Sequence, residues 1–166
     1  MTKRRDADIS GKIAGRRVDK ATASETPAVL IHASAVRFLE KGILLLGPSG
    51  SGKSDLALRM IDAGAVLIAD DQVSLRRVGV RLLAEAPARL AGLIELRGQG
   101  IMRLAHHPAH LDLAVQLQPF GQESDRLPGT ETASWLGVAL PKITLDARTP
   151  SAVARLKTCL EAERVF

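Results

Sequence analysis

Eight consecutive residues, Gly47-Pro48-Ser49-Gly50-Ser51-Gly52-Lys53-Ser54, carry the spacing G-x-x-x-x-G-K-[ST]. Glycines in such a run let successive backbone N–H groups turn inward around phosphate oxygens with no Cβ in the way. A helix that begins there places the positive end of its dipole at the same point. Lys53 is then expected to reach the β- and γ-phosphates of ATP or another nucleoside triphosphate, and the Ser54 hydroxyl to ligate Mg²⁺. The competing reading is a Gly/Ser-rich surface turn, and the flanking residues decide between the two.

A second chemical feature is the pair Asp70-Asp71, at the end of the apolar run Ala65-Val66-Leu67-Ile68-Ala69. Alternating side chains of a strand face opposite ways, so the two carboxylates are expected to do different work. One can serve a metal directly or through water, and the other can take a proton from an attacking hydroxyl. The plainer alternative is an Asp pair opening a turn before Gln72.

Other residues, taken singly, speak less clearly. His32 at a strand end reads as a hydrogen-bonded structural histidine. Arg126, in a polar stretch, reads as a solvated charge. Glu95 sits on a short apolar strand, where a carboxylate needs a partner or a metal; Arg97, two residues on, is the plain partner. His106, His107 and His110 read as an accumulation in a loop rather than a metal cluster, with no cysteine beside them.

These residues need elements to hold them. Ile43-Leu44-Leu45-Leu46 is a short apolar run ended by Gly47, the pattern of a buried central strand. Leu56, Ala57, Met60 and Ile61 follow a three-to-four spacing, which predicts an amphipathic helix over 53–63 with Gly64 as its left-handed terminator. The loop therefore lies between strand and helix, the setting the phosphate-binding reading requires. In an α/β sheet, neighbouring strands end on one edge, which would bring Asp70 and Asp71 beside it.

Strands are further expected at 29–31, 36–39, 65–69, 73–78, 80–83, 93–96, 101–104, 111–117 and 143–145. A tight turn is expected at Glu40-Lys41-Gly42, a long loop over 119–132, and a C-terminal helix over 151–162. Residues 1–27 mix charged and small polar types without apolar period and read as a flexible basic leader ahead of the 28–166 domain. The fold class expected is α/β: a single P-loop NTPase-like domain, with a mixed sheet around the P-loop strand and flanking helices. The run of short strands after Asp71 implies more antiparallel character than a doubly wound nucleotide fold has.

Composition narrows the partners. At 166 residues the chain suits one domain. One cysteine, Cys159, excludes an internal disulfide framework and fits a reducing cytoplasm. No apolar run approaches the roughly 20 residues of a membrane-spanning helix. A net charge of +5 invites an anionic partner, but with no Tyr, one Trp and three Phe there are few stacking platforms for nucleic acid. ATP or an acidic protein suits the charge better.

With these segments in view, the chain resembles the catalytic domain of the HPr kinase/phosphorylase family. The most specific stretch is Leu93-Ile94-Glu95-Leu96-Arg97-Gly98-Gln99-Gly100-Ile101-Met102, similar to the signature E-I-R-G-x-G-I. His32, the Asp70-Asp71-Gln72-Val73 run, Asp125-Arg126-Leu127 and Pro141-Lys142-Ile143-Thr144 match in family order. That bacterial family uses ATP to phosphorylate a regulatory serine of HPr, the phosphocarrier of the sugar phosphotransferase system, and so regulates carbohydrate metabolism. The resemblance implies that Lys53 and the loop Gly47 to Ser54 hold ATP, and that Ser54 and Glu95 ligate Mg²⁺. It implies Asp71 as proton acceptor toward the serine, Asp70 as support for metal and phosphate geometry, and His32 and Arg126 as the rest of the catalytic set.

The chain also departs from the family pattern. The short leader stands where a separate N-terminal domain is usual, so a compact form is expected. The region after Ile101 is shorter, with Arg103, His106 and His107 in place of the usual residues. Arg148-Thr149-Pro150-Ser151 replaces a Gly-Arg-Asn loop tied to dephosphorylation, which argues against phosphorylase activity. The short C-terminal end leaves both a homo-oligomer and the docking of HPr open. Two other functions remain in play: a small-molecule kinase on the same loop, and a non-catalytic ATP-binding regulatory module.

Overall fold

The computed structural model describes residues 27–119, 122, 129 and 131–162. The expected leader, apart from Pro27, and the segment Asp125-Arg126-Leu127 lie outside the described residues.

The run Ile43 to Leu46 forms the middle of the fold. Strand β3 (Lys41–Leu46) pairs antiparallel with β2 (Ser34–Phe38), which pairs antiparallel with β4 (Val66–Ala69). Two reversals make β4 parallel to β3, so both strands end on one edge. On its other side β3 pairs parallel with β9 (Ala109–Leu117). From β9 the sheet continues antiparallel through β6 (Arg81–Glu85) and β5 (Gln72–Val78) to β1 (Val29–His32) at the margin. The segment Leu93–Leu96 (β7) pairs with Gly100–Arg103 (β8) as a separate two-stranded hairpin. Glu131–Trp135 (β10) and Val138–Leu145 (β11) form another, attached where β11 runs parallel to β9. The mixed α/β class and the antiparallel bias were both legible in the sequence.

Each face of the sheet buries its own apolar cluster. Ile43 and Leu45 face a cluster with Leu56, Ala57 and Met60 of α1 (Lys53–Asp62) and with Ala152 and Leu156 of α2 (Ala152–Glu161). Leu44 faces the opposite way, into a cluster with Val73, Leu75, Leu82 and Ala84 from β5 and β6 and Leu140 from β11. An aliphatic core from both faces of β3 explains how so few aromatics suffice. α1 ends as expected: Gly64 has φ +102, its N–H bonds Ile61 O at 2.9 Å, and Ala65 N–H bonds Met60 O at 2.9 Å, a Schellman closure.

A bulge organises the β3–β9 seam. Gly42 pairs with Leu111 but Ile43 pairs with Leu113, so Asp112 is the extra residue. The slip sends Leu111 to one cluster and Leu113 to the other. Gly42 N–H donates to the Asp112 carboxylate at 2.9 Å, and Arg81 donates to the same carboxylate at 3.0 Å.

Several expectations need correction. The turn lies at Leu39-Glu40, not Glu40-Lys41-Gly42; Lys41 and Gly42 are already in β3. Both turn residues have positive φ, +49 and +61, as a two-residue type I′ hairpin requires. The expected loop ends earlier, because β10 begins at Glu131, and β11 starts five residues before the expected strand at 143. Gly137 and Pro141 break the local strand pattern there, and pairing with β9 overrides them. His110 is on β9 and His106 bridges to Leu67, so the three histidines are not a loop cluster.

Leu39 is a poor occupant of a left-handed position, where Asn and Gly are favoured. The double change Leu39→Asn, Glu40→Gly is expected to stabilise the domain by about 0.5–1 kcal/mol. Thermal unfolding should then shift up by roughly 2–5 °C. A lower midpoint would show that the exposed Arg37–Glu40 ion pair matters more than the backbone conformation.

Candidate functional site

The edge where β3 and β4 end carries the loop, the Asp pair and the start of β2. Gly50 and Gly52 take φ of +78 and +94, conformations a side chain would strain, and α1 begins at Lys53. Gly47 is needed for closeness: a Cβ there would stand 2.6 Å from Ser51 Oγ. The loop opens into a cleft of about 400 Å³ whose walls include His32, Lys53, Ser54, Asp71 and Glu95. Residues from 32 to 95 thus meet as expected. Arg126 lies outside the described residues.

Lys53 is buried, and its ammonium uses all three donors. Nζ donates to Gly47 O at 2.9 Å and Pro48 O at 3.0 Å, and lies 3.1 Å from His32 Nε2. An ammonium has no lone pair, so Nε2 must accept and the imidazole proton belongs on Nδ1. Nδ1 in turn donates to the Asp71 carbonyl at 3.0 Å, with the Asp71 carboxylate 3.4 Å away. His32 is therefore a spacer between the loop lysine and Asp71, a role its position in the chain does not reveal. Burial lowers the Lys53 pKa below its ordinary value, and the opposing field of Asp70 and Asp71 offsets part of that.

The two aspartates separate sharply. Asp70 is 4% exposed and its Oδ1 accepts from Ser34 Oγ at 2.5 Å and Ser54 Oγ at 2.9 Å. The Asp71 side chain is 65% exposed and faces the cleft. The sequence argument reached this division by strand alternation, but the cause is different. Both residues lie just past β4, and Asp71 adopts φ +65, which swings it out of the strand direction. Aspartate tolerates that conformation better than most residues.

The site fits a triphosphate and a hard cation on the chemistry of its donors. Positive-φ glycines, a helix start and a lysine already desolvated suit phosphate oxygens. Ser54 gives its proton to Asp70, which leaves the hydroxyl lone pairs for a cation, and Glu95 adds a carboxylate to the lining of the same cleft. Oxygen donors of this kind, few in number, suit Mg²⁺, which keeps several waters and shares phosphate ligands.

Sequence reasoning missed two contributors. Ser34 is fully buried and anchors Asp70; its signal was a hydroxyl inside the apolar run Ala33-Ser34-Ala35-Val36, where an unpaired polar group would be costly. Arg97 was read as the partner of Glu95, but no ion pair joins them among the described residues. It reaches instead over the loop, where Nη2 is 4.0 Å from the place a Gly50 Cβ would take.

Comparison with known proteins points to one family. The family model described as HPr Serine kinase C-terminal domain matches residues 24–161. HPr kinase/phosphorylase of Caldanaerobacter subterraneus subsp. tengcongensis is 33% identical over 156 residues, covering 87% of this chain and 51% of that protein. HPr kinase/phosphorylase of Burkholderia lata is 35% identical over 132 residues, covering 72% and 41%. The chain spans about half the length of the curated relatives it matches. The solved Hpr(Ser) kinase/phosphatase from Coxiella burnetii superposes with a TM-score of 0.70 at 25% identity, covering 80% of this chain and 93% of that one.

Proposed function

Because this chain belongs to the HPr serine kinase C-terminal domain family, we propose that it transfers the γ-phosphoryl group of ATP to a serine of an HPr-type phosphocarrier protein. The observation that carries the proposal is the Lys53–His32–Asp71 chain, which ties the phosphate-binding lysine to an exposed carboxylate at one rim.

A serine hydroxyl is a weak nucleophile, and a carboxylate positioned beside it can take its proton as the oxygen attacks. Asp71 is exposed and fixed for that task, while Asp70 is occupied by two hydroxyls and holds Ser54 in place. Lys53 leaves the Gly47 and Pro48 carbonyls for the phosphates, which offer stronger, charge-assisted acceptors. Ser54 and Glu95 would hold Mg²⁺, which when bound neutralises charge on the phosphate oxygens. Arg126 is proposed to add positive charge near the transferring group.

Reverse transfer is expected to be weak. The segment after β11 is folded as a turn into α2, with Arg59 donating to the Ala147 and Thr149 carbonyls, and it lacks the family's Gly-Arg-Asn sequence. A cytoplasmic site of action suits an HPr substrate. No helix among the described residues is long and apolar enough to cross a membrane.

The test is direct. Purified chain with ATP, Mg²⁺ and HPr should yield phosphoserine on HPr, located by mass spectrometry. ATP turnover by a metabolite without HPr would favour a small-molecule kinase. Tight ATP binding with no transfer to any acceptor would leave a nucleotide-sensing module and reject the kinase.

A further inference from the structure

The glycine-rich loop holds three serines, and the fold treats them differently. Ser49 is exposed, and Ser54 donates to Asp70 at 2.9 Å. The Ser51 hydroxyl is buried and has no hydrogen-bond partner among the described residues. It lies against Gly47, where a Cβ would stand 2.6 Å from Ser51 Oγ and 3.3 Å from Leu117 Cβ. A buried hydroxyl left unpaired costs free energy, and native structures keep few of them. Such a group is accounted for when a second state of the site puts it to use.

The donors of Lys53 identify that state. Its three protons serve Gly47 O, Pro48 O and His32 Nε2. A bound triphosphate adds acceptors on its β- and γ-phosphates, and these compete best because they are charged. Three protons then cannot serve five acceptors. Pro48 O keeps a donor of its own, the Ser51 N–H at 3.1 Å. Gly47 O, 2.9 Å from Nζ, loses the ammonium, and the hydroxyl packed beside that residue belongs to Ser51.

We infer that Ser51 is a positioning residue of the nucleotide site, whose hydroxyl donates to the Gly47 carbonyl when the Lys53 ammonium turns to the phosphates. This rests on the reading of the loop as a triphosphate site. The hydroxyl does not touch the nucleotide. It offsets the cost of drawing the lysine away from the loop carbonyls, and so favours the loaded loop over the empty one. A group that is unpaired in the free protein and paired in the complex contributes to binding alone, through that difference between the two states.

Ser51→Ala separates this role from packing. Calorimetric titration with Mg·ATP, without HPr, should give a dissociation constant about 3–10-fold above that of wild type. The thermal midpoint of the free variant should hold or rise by up to about 3 °C, because an unpaired buried hydroxyl is gone. A lost structural contact would instead lower affinity and midpoint together. A lower midpoint for the free variant would therefore overturn the assignment by making Ser51 a packing residue. Equal Mg·ATP affinity in the two proteins would overturn it too, and would leave the kinase reading standing. No Mg·ATP binding by the wild type would sink the triphosphate reading and this one with it.

Discussion

Asp71→Asn is expected to lower phosphoryl transfer to HPr by about 10³-fold, within the range of a lost general base. Mg·ATP binding should stay within a few-fold of wild type. The amide keeps the size of the carboxylate and leaves the Asp71 carbonyl for His32 Nδ1, so the His32–Lys53 arrangement survives. What disappears is the capacity to accept the serine proton. Asp70→Asn should behave differently, because Asp70 is buried and its Oδ1 receives two hydroxyl protons. Loss of its charge weakens the hold on Ser54 and should reduce Mg·ATP affinity as well as turnover. Transfer assays and calorimetry on the two variants separate the roles. Equal losses of ATP binding in both would remove the proton-acceptor assignment from Asp71.

Gly42→Ala is expected to be the most damaging small substitution away from the site. Gly42 is fully enclosed in the sheet, and a Cβ there would stand 2.1 Å from His110 O and 3.1 Å from Leu111 Cα. Those neighbours are backbone of the paired strand and cannot rotate away. The strand would have to separate from β9 at the bulge, losing the Gly42–Asp112 bond and loosening the seam between the two apolar clusters. Overpacking in a core costs about 1–3 kcal/mol when side chains can yield, so about 3 kcal/mol or more is expected here. Chemical denaturation should show the loss as a lower midpoint. A variant as stable as wild type would show that the β3–β9 seam accommodates a methyl group.

Gly42 also illustrates where reading the sequence reaches its limit. A glycine after Glu40-Lys41 resembles turn chemistry, yet its reason for being glycine is the approach of a strand nearly seventy residues away. Its neighbours Leu39 and Glu40 make the turn, though neither advertises positive φ. Strand β10 was hidden for the same cause: Glu131 to Trp135 acquires its partner from β11, and β11 from β9. By contrast the P-loop, α1 with its Gly64 terminus and the apolar β3 and β4 were legible, since each depends on periodicity or spacing within a dozen residues.

The chain's own order of residues determined the glycine-rich loop, the carboxylate pair, the glutamate on β7 and the mixed sheet that holds them. Those features are local: covalent spacing sets which groups a strand–loop–helix unit can present. Tertiary structure alone decided which aspartate is buried and which is exposed, that His32 links Lys53 to Asp71, and that Arg97 lies over Gly50 instead of pairing with Glu95. Each of these depends on contacts between segments 16 to 47 residues apart, whose geometry comes from sheet order and packing and not from any short stretch of chain.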